Sequence, residues 1–296
     1  MARRLSRRAL LVGAGGSVAV AGGALALVDA GALPGRLTLH RALGACDVGG
    51  PLPTVSPGPT LGGSFDSAAL ARQVTYAIAF PPGFRDESQT LPMCLYLHGR
   101  SGDHGDATSR PIGLPWMLAD RVAAGAPPMA VVGVDGGNAY WHRRASGEDP
   151  ERMLTDELLP LLTSARLETG RIGLLGTSMG GYGALLLAER LGQQRIAAVG
   201  ALSPALWQRF EDSAPGAFDD AADFAAHDVF TGRSRLGGIP VRLDCGRNDA
   251  FASTTTAFLE GAPTTITGAL HDGCHDSAFW RSVAGDHVNR IAHALG

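Results

Sequence analysis

The sequence predicts an α/β fold in which a mostly parallel sheet is covered by helices on both faces. From Ser64 onward, short apolar segments typical of strands alternate with longer segments of helical periodicity, and this alternation indicates βαβ units. The strand segments are almost continuously apolar, as in strands buried on both faces. With 296 residues, of which 45% are hydrophobic and 18% charged, the chain is long enough for one large domain of this class.

The predicted elements follow one another in a regular order. The predicted strands cover residues 72–80, 93–97, 130–134, 172–175, 197–202 and 241–243, with a further apolar stretch at 264–270. The predicted helices cover residues 114–124, 151–165, 184–191 and 279–295. Residues 208–238 form a longer connection with scattered acidic and aromatic residues. We expect a small helical excursion there, near the mouth of the site.

The first 30 residues have the composition of an export signal. Arg7 and Arg8 stand in a twin-arginine pattern, and residues 9–28 follow without a charge. The apolar run could alternatively remain as a membrane anchor, since about 20 residues span a bilayer. Its glycines favour export. We therefore predict a twin-arginine signal peptide over residues 1–30 and an extracytoplasmic location, secreted or associated with the cell envelope.

The charge balance bears on the kind of partner. The chain has a net charge of −3, and residues 1–30 contain four arginines but one aspartate, so the remainder is more acidic still. It contains no basic cluster, which argues against nucleic acid as a partner. Residues 31–62 are rich in glycine and proline and are expected to be irregular. Residues 63–296 then form the folded domain.

The four cysteines could pair in an exported protein. Cys94 lies in an apolar strand and can equally be a buried thiol. Cys245 and Cys274 each fall near the end of a late predicted strand, so a bridge between them is possible. The sequence leaves the partner of Cys46 open.

The segment around Ser178 is the most informative of the chain. Ser178 is the centre of a Gly-x-Ser-x-Gly pattern whose glycines are Gly176 and Gly180. A β-like run over residues 171–175 precedes the pattern, and a helix-like run over residues 184–191 follows it. In this context the serine occupies a strained turn, and small flanking residues let strand and helix approach closely. The pattern therefore predicts a nucleophilic serine.

A serine nucleophile needs a base, and in a doubly wound sheet the acid and then the base follow the serine in the chain. His275, just after the last predicted strand, is the predicted base. His271, His287 and His293 are the alternatives. His271 is the main rival because it lies four residues from His275, whereas His287 and His293 are predicted on the solvent face of the last helix.

Two aspartates compete for the role of the acid. Asp244 belongs to the predicted strand itself, whereas Asp249 lies in the loop beyond the carboxyl end of that strand. Ligand sites of open α/β sheets form outside these ends. Asp249 is therefore the predicted acid, which would orient His275 and stabilise its imidazolium.

Acyl transfer also requires hydrogen-bond donors for the oxyanion. The backbone N–H of Met179, directly after the serine, is the first predicted donor. The second is expected from the loop after the strand at residues 93–97, where the N–H of Arg100 is preferred and that of Gly99 is the alternative.

Two further groups of side chains have competing interpretations. Six residues could line a substrate pocket or could belong to the core: His98, Tyr140, Trp141, Tyr182, Trp207 and Trp280. Another group contains residue types that bind metals: His98, Asp103, His104, His271 and His275. The last two have helical spacing, but Gly273 lies between them and a strand precedes them. We therefore expect no metal and no cofactor.

Taken together, these residues resemble the esterase D and mycolyltransferase family of α/β-hydrolases, which also includes S-formylglutathione hydrolases. The resemblance covers residues 65–296 and rests on His98-Gly99, Asp135-Gly136, Tyr140-Trp141, residues 157–160, residues 176–181, Asp249, His275 and residues 279–281. It implies the α/β-hydrolase fold, a Ser178/Asp249/His275 triad and an oxyanion hole from the backbone of Arg100 and Met179. Ser203-Pro204 departs from the Ser-Gly that members commonly have at this place.

The resulting hypothesis is an exported serine hydrolase that cleaves small-molecule or lipid carboxylic esters through an acyl-enzyme at Ser178. Residues 63–296 would be its catalytic domain, and the protein could associate with the membrane or cell envelope. The first alternative is an acyltransferase that moves the acyl group to an envelope sugar or lipid. The second is a binding protein that kept the fold but lost activity.

Overall fold

The computed structural model describes residues 35–46, 49–84 and 90–296. The chain divides into two units, residues 1–47 and 48–296. The described part of the first unit contains the helix α1 (Arg36–Ala42). This helix lies within the segment 31–62, so the expectation of irregular structure is wrong at this place. The predicted signal peptide, residues 1–30, lies outside the described residues.

The described residues of the second unit contain an eight-stranded sheet. Its strands are β1 (Thr60–Ser67), β2 (Arg72–Ala79), β3 (Leu91–Leu97), β4 (Ala130–Val134), β5 (Leu167–Thr177), β6 (Ile196–Leu202), β7 (Val241–Gly246) and β8 (Ile266–His271). Their order across the sheet is β1-β2-β4-β3-β5-β6-β7-β8. The pairs β1/β2 and β2/β4 are antiparallel, and all other neighbours are parallel. The predicted mostly parallel α/β fold is thereby confirmed.

Helices cover both faces of this sheet. The described residues of the second unit contain the helices α2 (Leu114–Ala123), α3 (Pro150–Arg152), α4 (Leu159–Ser164), α5 (Met179–Leu191), α6 (Ala221–Ala226), α7 (Val229–Gly232), α8 (Ala252–Glu260) and α9 (Ser277–Leu295). A π-helical segment, Met153–Leu158, joins α3 to α4. None of the described helices is both long and apolar enough to cross a membrane.

Two hydrophobic cores separate the sheet from its helices. Side chains of successive strand residues point to opposite faces of a sheet. Accordingly, Leu174 of β5 packs into the core that contains α5, whereas Leu175 packs into the core that contains α2 and α9. The continuous apolar run in β5 is therefore explained by burial on both faces.

The sequence pattern does not predict β1 and α8. Most of β1 is exposed or half-buried at the edge of the sheet, and Gly62 and Gly63 lie within it, so it lacks an apolar run. Residues 253–256 of helix α8 are serine and threonine, which have modest helix propensity. The helical excursion predicted for residues 208–238 is confirmed, because α6, α7 and two 3₁₀ turns lie in it.

The structure excludes one cysteine pairing that the sequence left possible. Cys94 and Cys245 are buried free thiols, so a Cys245–Cys274 bridge is not formed. Burial raises the pKa of both thiols far above its usual range. Both therefore behave as small buried hydrophobic residues, the alternative that the sequence offered for Cys94.

Candidate active site

Ser178 lies in the sharp turn between β5 and α5. Its backbone has φ 54° and ψ −116°, a conformation that is strained for a residue with a side chain. A Cβ at Gly176 would overlap the carbonyl oxygen of Gly180, and a Cβ at Gly180 would overlap that of Leu97. Both glycines are therefore required for the close approach of strand and helix that holds the serine in this turn.

The structure brings Ser178, His275 and Asp249 together in one chain of hydrogen bonds. The Oγ of Ser178 lies 2.8 Å from Nε2 of His275, and Oδ2 of Asp249 lies 2.8 Å from Nδ1. Because a carboxylate only accepts, Nδ1 of His275 carries the proton and donates it to Asp249. Nε2 is then left unprotonated and accepts the hydrogen bond from the Ser178 hydroxyl.

Asp249 is buried in the loop after β7, and its side chain is fully inaccessible to solvent. Burial alone raises the pKa of a carboxyl group. At Asp249 the hydrogen bond and charge of His275 and the hydrogen bond from the N–H of Phe251, 2.9 Å long, outweigh burial and lower its pKa. The carboxylate is therefore ionised at neutral pH and can hold the imidazole in place.

The rival residues pair with one another instead. Asp244 accepts two hydrogen bonds from Arg242 and contacts Nε2 of both His271, at 2.8 Å, and His287, at 2.9 Å. Burial opposes ionisation of Asp244, but its partners, led by His287, hold its pKa well below the usual range. The predicted solvent-facing position of His287 is wrong, because this carboxylate draws it into the core. His293 is exposed, as predicted.

The loop after β3 lies beside the nucleophile. A Cβ at Gly99 would stand 3.5 Å from the Cβ of Ser178. Within the described residues, no hydrogen bond engages the N–H of Arg100 or the N–H of Met179, the first residue of α5. Both N–H groups are therefore available to a ligand.

The orientation of the Gly99–Arg100 peptide is fixed by its carbonyl group. The Gly99 oxygen accepts hydrogen bonds from Nδ1 of His98, at 2.7 Å, and from the N–H of Gly102, at 3.0 Å. The C=O and N–H of a trans peptide point in opposite directions. The N–H of Arg100 is therefore directed away from these two donors.

His98 supports this loop and does not line a pocket. It is almost fully buried, and its Nε2 accepts the N–H of Gly136 at 3.1 Å. Its backbone oxygen accepts a hydrogen bond from Nε1 of Trp141 at 3.3 Å. Burial lowers the pKa of His98, which keeps the ring neutral with its proton on Nδ1.

The predicted pocket-lining aromatic residues separate into two groups. Tyr140, Trp141 and Tyr182 are buried, and the hydroxyl of Tyr182 donates to a backbone carbonyl. They belong to the core, which was the alternative interpretation. Trp280 is half-buried, and its ring centre lies 5.4 Å from that of His275. Trp207 is also half-buried. Its ring contacts Phe251, whose ring in turn contacts that of His275.

The sequence interpretation misses Phe251, whose ring lies between those of Trp207 and His275. Its ring centre lies 5.4 Å from that of His275 and 5.6 Å from that of Trp207. Its backbone N–H also donates to Asp249. The only sequence signal for it is its position two residues after the predicted acid.

The sheet order and the serine, histidine and aspartate that meet beyond its parallel strands define an α/β-hydrolase, a serine carboxylic-ester hydrolase. The chain belongs to the Putative esterase family, which residues 67–269 match. No curated protein matches it.

Solved structures share the fold at low sequence identity. A ferulic acid esterase superposes with a TM-score of 0.69 at 20% identity, covering 81% of this chain and 100% of that one. The S-formylglutathione hydrolase of Agrobacterium tumefaciens gives 0.65 at 20% identity, with 82% and 98% coverage. A fluorophosphonate-binding serine hydrolase of Staphylococcus aureus gives 0.66 at 16% identity, with 80% and 99% coverage.

Proposed function

We propose that the protein cleaves carboxylic esters through an acyl-enzyme at Ser178. The observation that carries this proposal is the continuous hydrogen-bond chain from Asp249 through His275 to Ser178, with lengths of 2.8 Å at both steps. A serine hydroxyl in this arrangement can pass its proton to Nε2 as it attacks.

In the first half-reaction, Oγ of Ser178 bonds to the ester carbonyl carbon while its proton moves to Nε2 of His275. The negative charge that develops on the carbonyl oxygen is stabilised by the N–H groups of Met179 and Arg100. The bond to the alcohol oxygen then breaks, and His275 gives its proton to that oxygen. The products are the free alcohol and an ester between the acyl group and Ser178.

In the second half-reaction, a water molecule attacks the acyl carbon and His275 takes its proton. The bond to Oγ breaks, and the proton returns to Ser178. The carboxylic acid leaves, and the resting hydrogen-bond chain is restored. Asp249 remains ionised throughout and stabilises the imidazolium of His275.

The test is the hydrolysis of p-nitrophenyl esters, from acetate to long acyl chains, by the wild type and by Ser178→Ala. We expect activity in the wild type and its loss in the variant at unchanged thermal stability. A feruloyl ester and S-formylglutathione belong in the same panel, since the similar structures carry those names and aromatic rings flank His275. Equal activity of both proteins would refute Ser178 as the nucleophile.

Transfer of the acyl group to an envelope sugar or lipid is the alternative fate of the same intermediate. An acceptor hydroxyl would replace water in the second half-reaction. Product analysis with and without a sugar acceptor distinguishes the two, because transfer yields a new ester and hydrolysis yields free acid. A folded protein that forms neither product would instead be a binding protein.

We also propose export through the twin-arginine pathway, on the strength of Arg7 and Arg8 followed by the uncharged residues 9–28. The test is a fusion of residues 1–30 to a reporter that works only outside the cytoplasm. Replacement of both arginines by lysine should abolish the signal. Unchanged export of that variant would contradict the proposal.

A further inference from the structure

A cavity lies beside α9 at the amino ends of β6, β7 and β8. Its volume is about 140 Å³, and Ala198 of β6 and Ile291 of α9 line it. Both residues belong to the core on the α9 face of the sheet. Thr265, which directly precedes β8, forms part of the wall as well. The three residues of the proposed active site lie beyond the opposite, carboxyl ends of the strands, so the cavity is a separate place in the fold.

Two buried polar atoms of the cavity-lining residues have no hydrogen-bond partner within the described part of the chain: Nδ1 of His287 and Oγ1 of Thr265. The His287 side chain is fully buried. Its Nδ1 faces Gly200, another residue of the wall, since a Cβ at position 200 would lie 2.5 Å from it. A buried polar atom without a partner costs free energy, so a molecule that supplied the missing partner would be favoured here.

The neighbour Asp244 determines which nitrogen of His287 carries the proton. Nε2 lies 2.9 Å from Oδ2 of Asp244, and a carboxylate only accepts, so Nε2 is the protonated nitrogen. Arg242 already balances the charge of Asp244. A second proton on the imidazole would therefore leave an uncompensated charge in the core. Nδ1 thus presents a lone pair and can accept a hydrogen bond from a bound molecule.

We propose that this cavity binds a small apolar molecule that carries a hydroxyl group and has about the size of phenol. A cavity of about 150 Å³ is large enough to hold benzene. The hydroxyl group would donate to Nδ1 of His287, and the apolar body would pack against Ala198 and Ile291. Walls that are mainly apolar and carry few polar groups are typical of ligand sites. Oγ1 of Thr265 offers a further hydrogen bond to a ligand with a second polar substituent.

The ligand has a route from solvent. Thr267 and Arg290 also line the cavity, and both residues are exposed. The cavity therefore extends from the buried imidazole of His287 to the surface of the molecule.

The test is calorimetric titration of the full chain with phenol and with benzene. We expect one equivalent of phenol to bind the wild type with a Kd on the order of millimolar or tighter. Benzene should bind about tenfold more weakly, because it lacks the hydroxyl group and one hydrogen bond is lost. In Ala198→Leu the larger side chain fills the cavity, so phenol binding should be lost without a fall in Tm. The control Ala225→Leu adds the same group at an exposed position and should bind phenol as the wild type does.

A second measurement needs no variant and shows where phenol binds. In heteronuclear NMR spectra of the histidine rings, addition of phenol should shift the Nδ1 resonance of His287 and leave the ring nitrogens of His275 unchanged. A shift at His275 instead would place phenol in the proposed active site and overturn the proposal. Benzene binding as tight as that of phenol would overturn it too, as would the absence of phenol binding, the result expected if the cavity holds only water. Neither measurement uses ester hydrolysis, so the proposal stands or fails independently of Ser178.

Discussion

Asp249 is the residue at which burial and charge oppose each other most directly in the proposed active site. Its carboxylate is inaccessible to solvent and remains ionised because His275 and the N–H of Phe251 donate to it. Oδ1 accepts the hydrogen bond from Phe251, and Oδ2 accepts that from His275. The proposed mechanism therefore requires, at position 249, a side chain that accepts hydrogen bonds and donates none.

The substitution Asp249→Asn tests this dependence. An asparagine fills the same volume but presents an amide that can donate to Nδ1 of His275, which favours the wrong tautomer. We expect a normally folded protein whose kcat falls about 10⁴-fold. Ester kinetics and thermal unfolding measure the two effects. Full activity would mean that Asp249 is not the acid and would return attention to Asp244.

His98 offers a test of the oxyanion loop at the same scale. His98→Phe removes the donor to Gly99 and frees the Gly99–Arg100 peptide to rotate, so kcat should fall about 10²-fold or more with little change in KM. His98→Asn places an amide near the position of Nδ1 and should recover part of the loss. The affinity for a boronic acid that mimics the tetrahedral intermediate should follow kcat. A parallel rise in KM without loss of kcat would contradict this role.

Residue patterns predicted which side chains the structure brings together better than they predicted the surroundings of those side chains. Ser178 follows β5 directly, and Asp249 and His275 lie in the loops after β7 and β8, so one rule about the carboxyl ends of strands selects all three. His287 was misplaced because its partner, Asp244, lies 43 residues away in the chain, and no local pattern reports such a contact.

At the level of elements, the strand-to-helix turn after β5 is the most constrained connection. The sequence predicted the apolar strands and the long helices because burial in the two cores gives both a strong pattern of apolar residues. The edge strand β1 and the threonine-rich helix α8 were not, since neither carries that pattern. The close packing of β3 against the start of α5 likewise shows only in three dimensions.

The substitution Gly180→Ala tests this packing. The added Cβ would overlap the backbone carbonyl of Leu97 in β3, and backbone cannot yield as a side chain can. We expect destabilisation by about 1–3 kcal/mol or a failure to fold. Gly170→Ala is the matched control, because open space surrounds its Cβ position and its Tm should hardly change. Equal Tm values for both variants would argue against a close contact between β3 and α5.

For the molecule as a whole, ionisable groups buried in the cores make the free energy of unfolding depend on pH. Glu189 of α5 is buried, with Oε2 2.9 Å from Arg235. Its Oε1 has no hydrogen-bond partner within the described residues. Burial, only partly offset by Arg235, raises the pKa of Glu189 to about 7. Ionisation of this carboxyl therefore opposes folding.

The sign of the effect follows from proton binding. Between the unfolded pKa of about 4.3 and the folded value, the native state holds the proton that the unfolded chain has lost. The free energy of unfolding therefore falls as the pH rises from the unfolded pKa to the folded pKa of Glu189. We expect Glu189→Gln to gain stability relative to the wild type between pH 5 and pH 8, as measured by urea unfolding. The matched control is Glu260→Gln, at an exposed position near the end of α8. If the stability difference between Glu189→Gln and the wild type did not change between pH 5 and pH 8, the raised pKa would be contradicted.

The three residues of the proposed active site are far apart in the chain, so ester hydrolysis would report on folding. Ser178 and His275 are 97 residues apart, and Asp249 and His275 are 26 apart. Each stands on a loop whose place is set by a different strand. A compact intermediate with native helices but an incomplete sheet would have all three groups and no means of aligning them. During refolding, ester hydrolysis should therefore recover later than the helical circular dichroism signal. The rate at which hydrolysis recovers would measure the rate at which β7 and β8 dock onto the sheet.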